Sequence, residues 1–383
     1  MSKKLKICLP SGSLEQKTLE LFQAANLDVI RSNSRNYTAI INDTRIESIT
    51  FLPAQEVASH VREGIFDCGI TGADWILETI LQRLKVLFDY DALDYPEEAS
   101  KYFNESSLGD GTRPLNEDLI TIFNAIAASH NGVFGRKDGK EYGEYIEQIS
   151  PLPYTRTHFG GYTQVVVATI GETPLKDLLF EFGSNKKQFR IATELQEITL
   201  SFFEHLCPKL PKKPCICPGP PRERRENFPR IQTIFSYGKT EIKLVLGIAD
   251  AIVDITETGR TLAEQGAFIQ QVVMKSVPWW ITNAKQDSPK RQFVEEIGVL
   301  LKSALDSHEK KLLKFNIPNG LLQKVLVEIP TAKSPTISPL FDTNFCAVET
   351  IVPRSSLPEL ISKIQNAGAV DILVIPIQNI ISP

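Results

Sequence analysis

The sequence predicts an α/β protein with a small α+β module at its C-terminal end. Three observations predict it. A strand, a glycine turn and a helix follow one another over residues 5–26, and the same order recurs over 66–84. From residue 325 onward, short strands surround one amphipathic helix at 357–366. Alternating strands and helices of this kind build layered sheets with helices packed on their faces.

Each element has a local cause. Leu5-Lys6-Ile7-Cys8-Leu9-Pro10 reads as a strand and Ser11-Gly12-Ser13 as a tight turn. Residues 14–26 follow as a helix, because Leu14, Thr18, Leu21, Phe22 and Ala25 recur at helical spacing. Ser13 is the expected N-cap, with Gln16 closing a capping box. Residues 46–52 predict a strand and 55–63 a short helix. The apolar run 66–71 predicts a buried strand entering Gly72-Ala73-Asp74-Trp75 and a helix to 84. Residues 92–158 break the pattern: 105–116 is rich in Gly, Ser and Asp, 119–128 is helix-like, 132–143 is polar, and the stretch reads as an insertion with one or two helices. The β-branched run 164–169 and Arg190-Ile191-Ala192-Thr193 predict strands, the second followed by a helix to 205. Residues 208–229 are rich in proline and in Lys/Arg and read as an exposed basic loop. Residues 241–255 return to a buried strand and 294–313 form an amphipathic helix. Strands at 325–329, 347–352 and 372–375 with the helix 357–366 make a module the size of a ferredoxin-like unit.

Composition excludes several classes of function. The chain of 383 residues carries 42 basic and 46 acidic side chains, a net charge of -4, so its overall field does not attract nucleic acid or anionic lipid. No apolar run is long enough for a membrane helix, and the N-terminus has no apolar segment of the signal-peptide kind, which predicts a cytoplasmic protein. Six cysteines are too few for a disulfide framework, and Cys8 and Cys68 read as buried free thiols. Cys207, Cys215 and Cys217 lack the paired spacing of a zinc site. The histidines at 60, 130, 158, 205 and 308 form no ligand-like cluster.

The sharpest chemical signal is the segment Gly247-Ile248-Ala249-Asp250-Ala251-Ile252-Val253-Asp254-Ile255-Thr256-Glu257-Thr258-Gly259-Arg260-Thr261-Leu262. An apolar strand ends in carboxylates, and a Thr-Gly-x-Thr turn opens a helix. That pattern suits a phosphate monoester. Backbone N–H groups of residues 258–262 can converge on an anion, Gly259 removes a Cβ from the approach, and the hydroxyls of Thr258 and Thr261 add donors. Asp254 and Glu257 would then accept from sugar hydroxyls. A capped turn with no ligand is the alternative for the four turn residues taken alone.

The whole chain resembles the ATP phosphoribosyltransferases that begin histidine biosynthesis. The matching residues are the opening Leu9-Pro10-x-Gly12-x-Leu14, Arg35-x-Tyr37 and Gly69-Ile70-Thr71-Gly72-x-Asp74-Trp75. Phe159-Gly160-Gly161, Arg190-Ile191-Ala192-Thr193 and the 241–262 segment continue the match. Residues 334–340 and 368–374 resemble the C-terminal regulatory domain of the long form. The resemblance implies a two-lobe core like type II periplasmic binding proteins, followed by a ferredoxin-like (ACT-like) regulatory domain. Lobe I would comprise 1–91 and 263–314, the insertion 92–158 would be a candidate lid, and lobe II would be 159–262 with the phosphoribosyl pyrophosphate loop. Residues 315–383 would be the regulatory domain.

It also implies that N1 of ATP is joined to C1 of phosphoribosyl pyrophosphate, with Mg²⁺ assisting and histidine inhibiting. Asp254, Glu257, Thr258, Gly259, Arg260, Thr261 and Leu262 would hold phosphoribosyl pyrophosphate, Asp254 and Glu257 catalytically. Gly12, Leu14, Gly72 and Asp74 would face ATP, and Thr336 and Asp371 the inhibitory histidine. A homo-oligomer, dimer or hexamer, is expected. Two departures stand out. Where the family carries basic residues in its opening turn and in Leu-Arg-Pro-Gln, this chain has Ser11, Ser13 and Pro53. Arg113, Arg136, Lys137, Lys140 and Arg156 of the insertion are candidate replacements. The rival readings are a catalytically weakened paralogue that senses nucleotide or histidine, a solute-binding protein of the same fold, and a transferase with another acceptor base.

Overall fold

The structure, a computed structural model, describes residues 4–31, 33, 36–88, 146–206, 229–283, 288–329, 334–341 and 343–381. Arg35, Arg113, Arg136, Lys137, Lys140, the three cysteines at 207, 215 and 217, and most of the basic loop lie outside the described residues.

The first sheet has seven strands, in the order β2-β3-β4-β1-β5-β12-β6. They are β1 (Leu5–Ser11), β2 (Val29–Ile30), β3 (Thr38–Ile41), β4 (Ile46–Pro53), β5 (Cys68–Gly72), β6 (Ile146–Pro151) and β12 (Pro278–Asn283). β1 lies parallel to β4 and β5, whereas β12 runs antiparallel to both β5 and β6. Its helices are α1 (Glu15–Ala24), α2 (Ala54–Arg62) and α3 (Ala73–Phe88), with α8 (Ser288–His308) added from the far end of the chain. The second sheet has the order β11-β7-β10-β8-β9, from β7 (Thr163–Ile170), β8 (Gln188–Thr193), β9 (Arg230–Phe235), β10 (Ala251–Thr256) and β11 (Ala267–Ser276). Helices α4 (Leu175–Ser184), α5 (Gln196–Leu206), α6 (Glu241–Val245) and α7 (Arg260–Glu264) belong to it. Both sheets are mixed, each with parallel and antiparallel neighbours.

Two expected boundaries move. β6 falls within the expected insertion 92–158 yet pairs with β12 as an edge strand of the first sheet. β11 falls within the stretch expected in lobe I, yet it pairs along β7 in the second sheet. The chain therefore crosses between lobes once through 152–162 and once at Val277. The two crossings start side by side, because Leu152 N–H donates to the carbonyl of Pro278, the residue after Val277, at 2.8 Å, while Val277 is itself held by Ala73 N–H of α3 at 3.0 Å. Pairing partners more than a hundred residues apart leave no local mark, which is why periodicity could not place either strand.

The tandem tryptophans divide the core. Successive residues of a strand face opposite sides of its sheet. Trp279 joins the cluster that spans both lobes, with Ile76, Val165 and Phe189. Trp280 faces the other way, among Leu5, Phe22 and Leu301, and its indole N–H donates to the Val294 carbonyl at 2.8 Å. Of the two, only Trp279 packs in the cluster that the lobes share. Arg190 grips Asp250 through Nε and Nη2 at 3.0 and 2.9 Å and ties the edge of β8 to the approach of β10. Cys8 and Cys68 are buried free thiols, as expected, and burial raises both thiol pKa values.

The C-terminal module runs β13 (Lys310–Pro318), α9 (Leu322–Leu326), β14 (Thr336–Pro339), β15 (Phe345–Pro353), α10 (Leu357–Asn366) and β16 (Val370–Pro376). Its sheet order is β14-β15-β13-β16, with every neighbouring pair antiparallel, the ferredoxin-like arrangement. Two readings are corrected here. The helix expected to 313 stops at His308, and β13 follows with Leu313, Phe315 and Ile317 alternating into the core. The strand expected at 325–329 is instead the helix α9, with Val325 buried. Among the described residues no helix is long and apolar enough to cross a membrane.

Candidate active site

Between the two lobes lies a cavity of about 530 Å³. Its floor is the end of β10, the central strand of the second sheet. Asp254 sits there, half-buried, with one carboxylate oxygen accepting from Ile255 N–H at 2.8 Å. Burial raises its pKa to about 6, and the carboxylates of Glu241 and Glu194 add repulsion. A carboxyl group so placed holds its proton well above the ordinary carboxylate range.

The turn after β10 takes its shape from Gly259, whose φ of 70° is left-handed. Thr256 closes it by accepting from Gly259 N–H at 2.9 Å. The Arg260 N–H leans on the Thr258 hydroxyl at 3.4 Å, so two of the five N–H groups expected for an anion are engaged in the turn itself. The next two, on Thr261 and Leu262, belong to the first turn of α7, where backbone donors have no partner within the helix. Thr261 and Leu262 line the cavity, whereas Thr258, Gly259 and Arg260 do not. Arg260 lies along its own short helix, with Nε 3.3 Å from Glu264.

Glu257 is placed differently from expectation. Its Oε1 accepts from the hydroxyl of Thr155 at 2.8 Å and from that of Thr157, and His158 Nδ1 lies 3.3 Å away. Oε2 stands 3.4 Å from Arg156 Nε. Burial opposes the charge of Glu257, but the two threonine hydroxyls, His158 and Arg156 outweigh it and hold the carboxyl below its ordinary value. An oxygen already shared by two hydroxyls is poorly placed to take a sugar. Glu257 ties the lobe crossing to the turn, and these partners lie about a hundred residues upstream of it.

The opposite wall is built from the ends of β1, β4 and β5. Gly12, at φ 80°, opens a single 3₁₀ turn that runs through Leu14, and α1 starts only at Glu15. The capping expected of Ser13 is absent, since the N-cap position is Leu14 and no side chain caps the helix. Gly72 and Asp74 meet at the start of α3. A Cβ on Gly72 would fall 2.1 Å from Asp74 Oδ1, so only glycine lets that carboxylate fold back. Asp74 is fully buried, accepts from Trp75 N–H and from the Ser276 hydroxyl, each at 2.9 Å, and its pKa is raised by burial. All four residues expected on this wall line the cavity, together with the neutral Ser11, Ser13 and Pro53. Tyr154, Glu194, Glu241 and Ser276 also line it, and no local pattern singles them out.

Comparison with known proteins decides the family. Residues 117–303 match the family described as ATP phosphoribosyltransferase, and 307–379 match the HisG C-terminal domain. The ATP phosphoribosyltransferase of Thermodesulfovibrio yellowstonii is 29% identical over 381 residues, covering 99% of both chains. The chain belongs to the ATP phosphoribosyltransferase family, in its long form. The same enzyme of Pelotomaculum thermopropionicum is 28% identical, again over 99% of both chains. In structure the chain is similar to the ATP phosphoribosyl transferase (HisG:HisZ) complex from Thermotoga maritima at a TM-score of 0.47 and 17% identity, covering 79% of this chain and 98% of that one. It is also similar to the periplasmic VFT2 domain of Bordetella pertussis BvgS at a TM-score of 0.36 and 9% identity, covering 79% and 88%. Membership makes the chain a pentosyltransferase of histidine biosynthesis, and the HisG C-terminal domain implies feedback by histidine.

Proposed function

We propose that the cleft between the lobes is where N1 of the ATP adenine attacks C1 of phosphoribosyl pyrophosphate, as the C1–O bond breaks and its electron pair leaves with pyrophosphate. The observation that carries this assignment is the β10–α7 turn. Its free first-turn donors and Asp254 open onto the same cavity as Gly12, Leu14 and Gly72. In this reading Thr261 and Leu262 hold the 5′-phosphate, Asp254 faces the ribose, and the β1–α1 and β5–α3 turns receive the nucleotide. A ribosyl centre that gains positive charge is stabilised by a nearby carboxylate, and alignment of two large substrates supplies much of the remaining rate.

Mg²⁺ suits the donors present, which are carboxylate oxygens. Among the described residues no cluster of three or more acidic, His or Cys side chains could cage a metal, so the ion would arrive on substrate phosphates with Asp254 or Glu241 nearby. When bound it neutralises the departing pyrophosphate. Thr336 lies on β14 and Asp371 on β16, at opposite edges of the C-terminal sheet. A histidine touching both would have to bridge two protomers, which accords with a homo-oligomer. Asp371 is held at a left-handed φ of 51° and accepts from Asn316 Nδ2 at 2.9 Å.

The test is the near-ultraviolet absorbance of N1-substituted adenine, followed with ATP, phosphoribosyl pyrophosphate, Mg²⁺ and pyrophosphatase. A rise that histidine suppresses is expected. Folded protein that binds ATP with no rise would favour the weakened-paralogue reading, which Ser11, Ser13 and Pro53 in the cavity wall support. Gly259→Ala is expected to cost about 1 kcal/mol of stability through its backbone angle. It should also raise the KM for phosphoribosyl pyrophosphate more than that for ATP, as steady-state kinetics would show.

A further inference from the structure

We infer that Arg156 is the residue that binds the pyrophosphate group of phosphoribosyl pyrophosphate, and that Glu257 is the positioning residue that presents it. The inference rests on the proposed placement of that substrate in the cleft.

The charge of the cavity wall is the starting point. Asp74, Glu194, Glu241, Asp254 and Glu257 all line it, and among the described residues Arg156 is its one cation. A wall of that sign repels a pyrophosphate unless a cation is brought to it. The turn at Thr261 and Leu262 offers backbone donors for one phosphate, the 5′ end, and leaves the other end of the substrate without a partner. Arg156 sits on the lobe crossing, next to that turn.

Its guanidinium is both held and available. The side chain is 56% exposed, and Nε faces Glu257 Oε2 at 3.4 Å in an ion pair without a hydrogen bond, since that oxygen accepts none. The contact restrains one edge of the guanidinium and leaves the outer fork free for a second anion, the geometry in which arginine recognises phosphate in pairs of hydrogen bonds. Glu257 is itself locked by Thr155 and Thr157, the neighbours of Arg156 on the crossing. The arrangement therefore fixes the cation relative to both lobes: it rides on the segment that joins them and is pinned to the turn that carries the 5′-phosphate. Closure of the cleft would carry Arg156 and the turn together, keeping the two ends of one substrate in register.

The test is calorimetric binding to the full chain of three probes: phosphoribosyl pyrophosphate, inorganic pyrophosphate and ribose 5-phosphate. Arg156→Ala is expected to weaken the first two by about tenfold or more while leaving ribose 5-phosphate within about twofold, since one charge-assisted contact is lost at one end only. Arg156→Lys should recover part of the loss, because it keeps the charge and loses the fork. Glu257→Gln should weaken pyrophosphate by a smaller factor without altering ATP binding. Equal affinity of Arg156→Ala and the natural chain for pyrophosphate overturns the assignment, as does an equal loss for ribose 5-phosphate. Failure of the natural chain to bind phosphoribosyl pyrophosphate at all would instead overturn the placement of that substrate. Circular dichroism of each variant separates binding loss from misfolding.

Discussion

Asp254→Asn is expected to fold more stably than the natural chain at neutral pH and to lose most of its activity. The two effects have one cause. Burial and the neighbouring Glu241 and Glu194 raise the Asp254 pKa from 3.8 to about 6, so its charge is held at a cost in the folded state. The folded chain binds this proton more tightly than the unfolded chain does. Between pH 3.8 and about 6 the folded state therefore carries more protons, and stability falls as pH rises through that window. Above it the penalty is complete, on the order of 1–3 kcal/mol. Asparagine has no charge to bury and its carbonyl can still accept from Ile255 N–H. Urea unfolding should show the gain above pH 6 and none below pH 3.8. The same substitution removes the carboxylate proposed to face the ribosyl centre, and kcat is expected to fall about a hundredfold, in line with the loss of one charge-stabilising group. A variant that is less stable at neutral pH, or that turns over normally, would contradict this account.

The second large effect is expected at Glu78, which does not line the cavity. This buried carboxylate on α3 of the first lobe accepts from the backbone N–H groups of Glu197 and Ile198 at 3.0 and 2.9 Å, at the start of α5 in the second. It caps a helix across the interface, where the orphan donors of the first turn need a partner. Burial is the main reason that its pKa rises to about 7, with the Glu197 carboxylate adding to it, while the two N–H donors pull the other way. Glu78→Ala leaves two buried donors without an acceptor, and a loss of about 2–4 kcal/mol is expected. Because the folded chain also holds the Glu78 proton more tightly, natural-chain stability should decline from pH 4.5 to about 7, and the variant should show a shallower decline. Chemical denaturation at several pH values measures both. A cost of a few tenths of a kcal/mol, with the pH slope unchanged, would mean that the cap contributes little.

How the chain announces its site is uneven, and the reason is distance along the sequence. The β10–α7 unit was legible because its signals are neighbours: an apolar run, an acid, Thr256, and a glycine where the backbone must turn left-handed. The helix at 357–366 was equally plain, since Leu357, Leu360 and Ile364 recur on one buried face. β13 carried its alternation openly, yet it follows α8 after the single residue Glu309, and the apolar spacing of the helix runs on into it. Short α9 reads as a strand in the sequence because five residues are too few for the two periodicities to part.

What the sequence determined by itself was therefore the α/β class, the acid–turn–helix unit at Asp254 to Leu262, the glycine turn at Gly12 and the small terminal module. All depend on residues within a few positions of one another, where backbone preference and periodicity act. Tertiary structure alone decided that β6 belongs to the first sheet and β11 to the second, and that Glu78 caps a helix of the other lobe. It also decided that Glu257 is held by Thr155 and Thr157 and does not face the cavity free. Those outcomes join residues from about a hundred positions apart upward, and their energies exist only once burial has removed water from both partners.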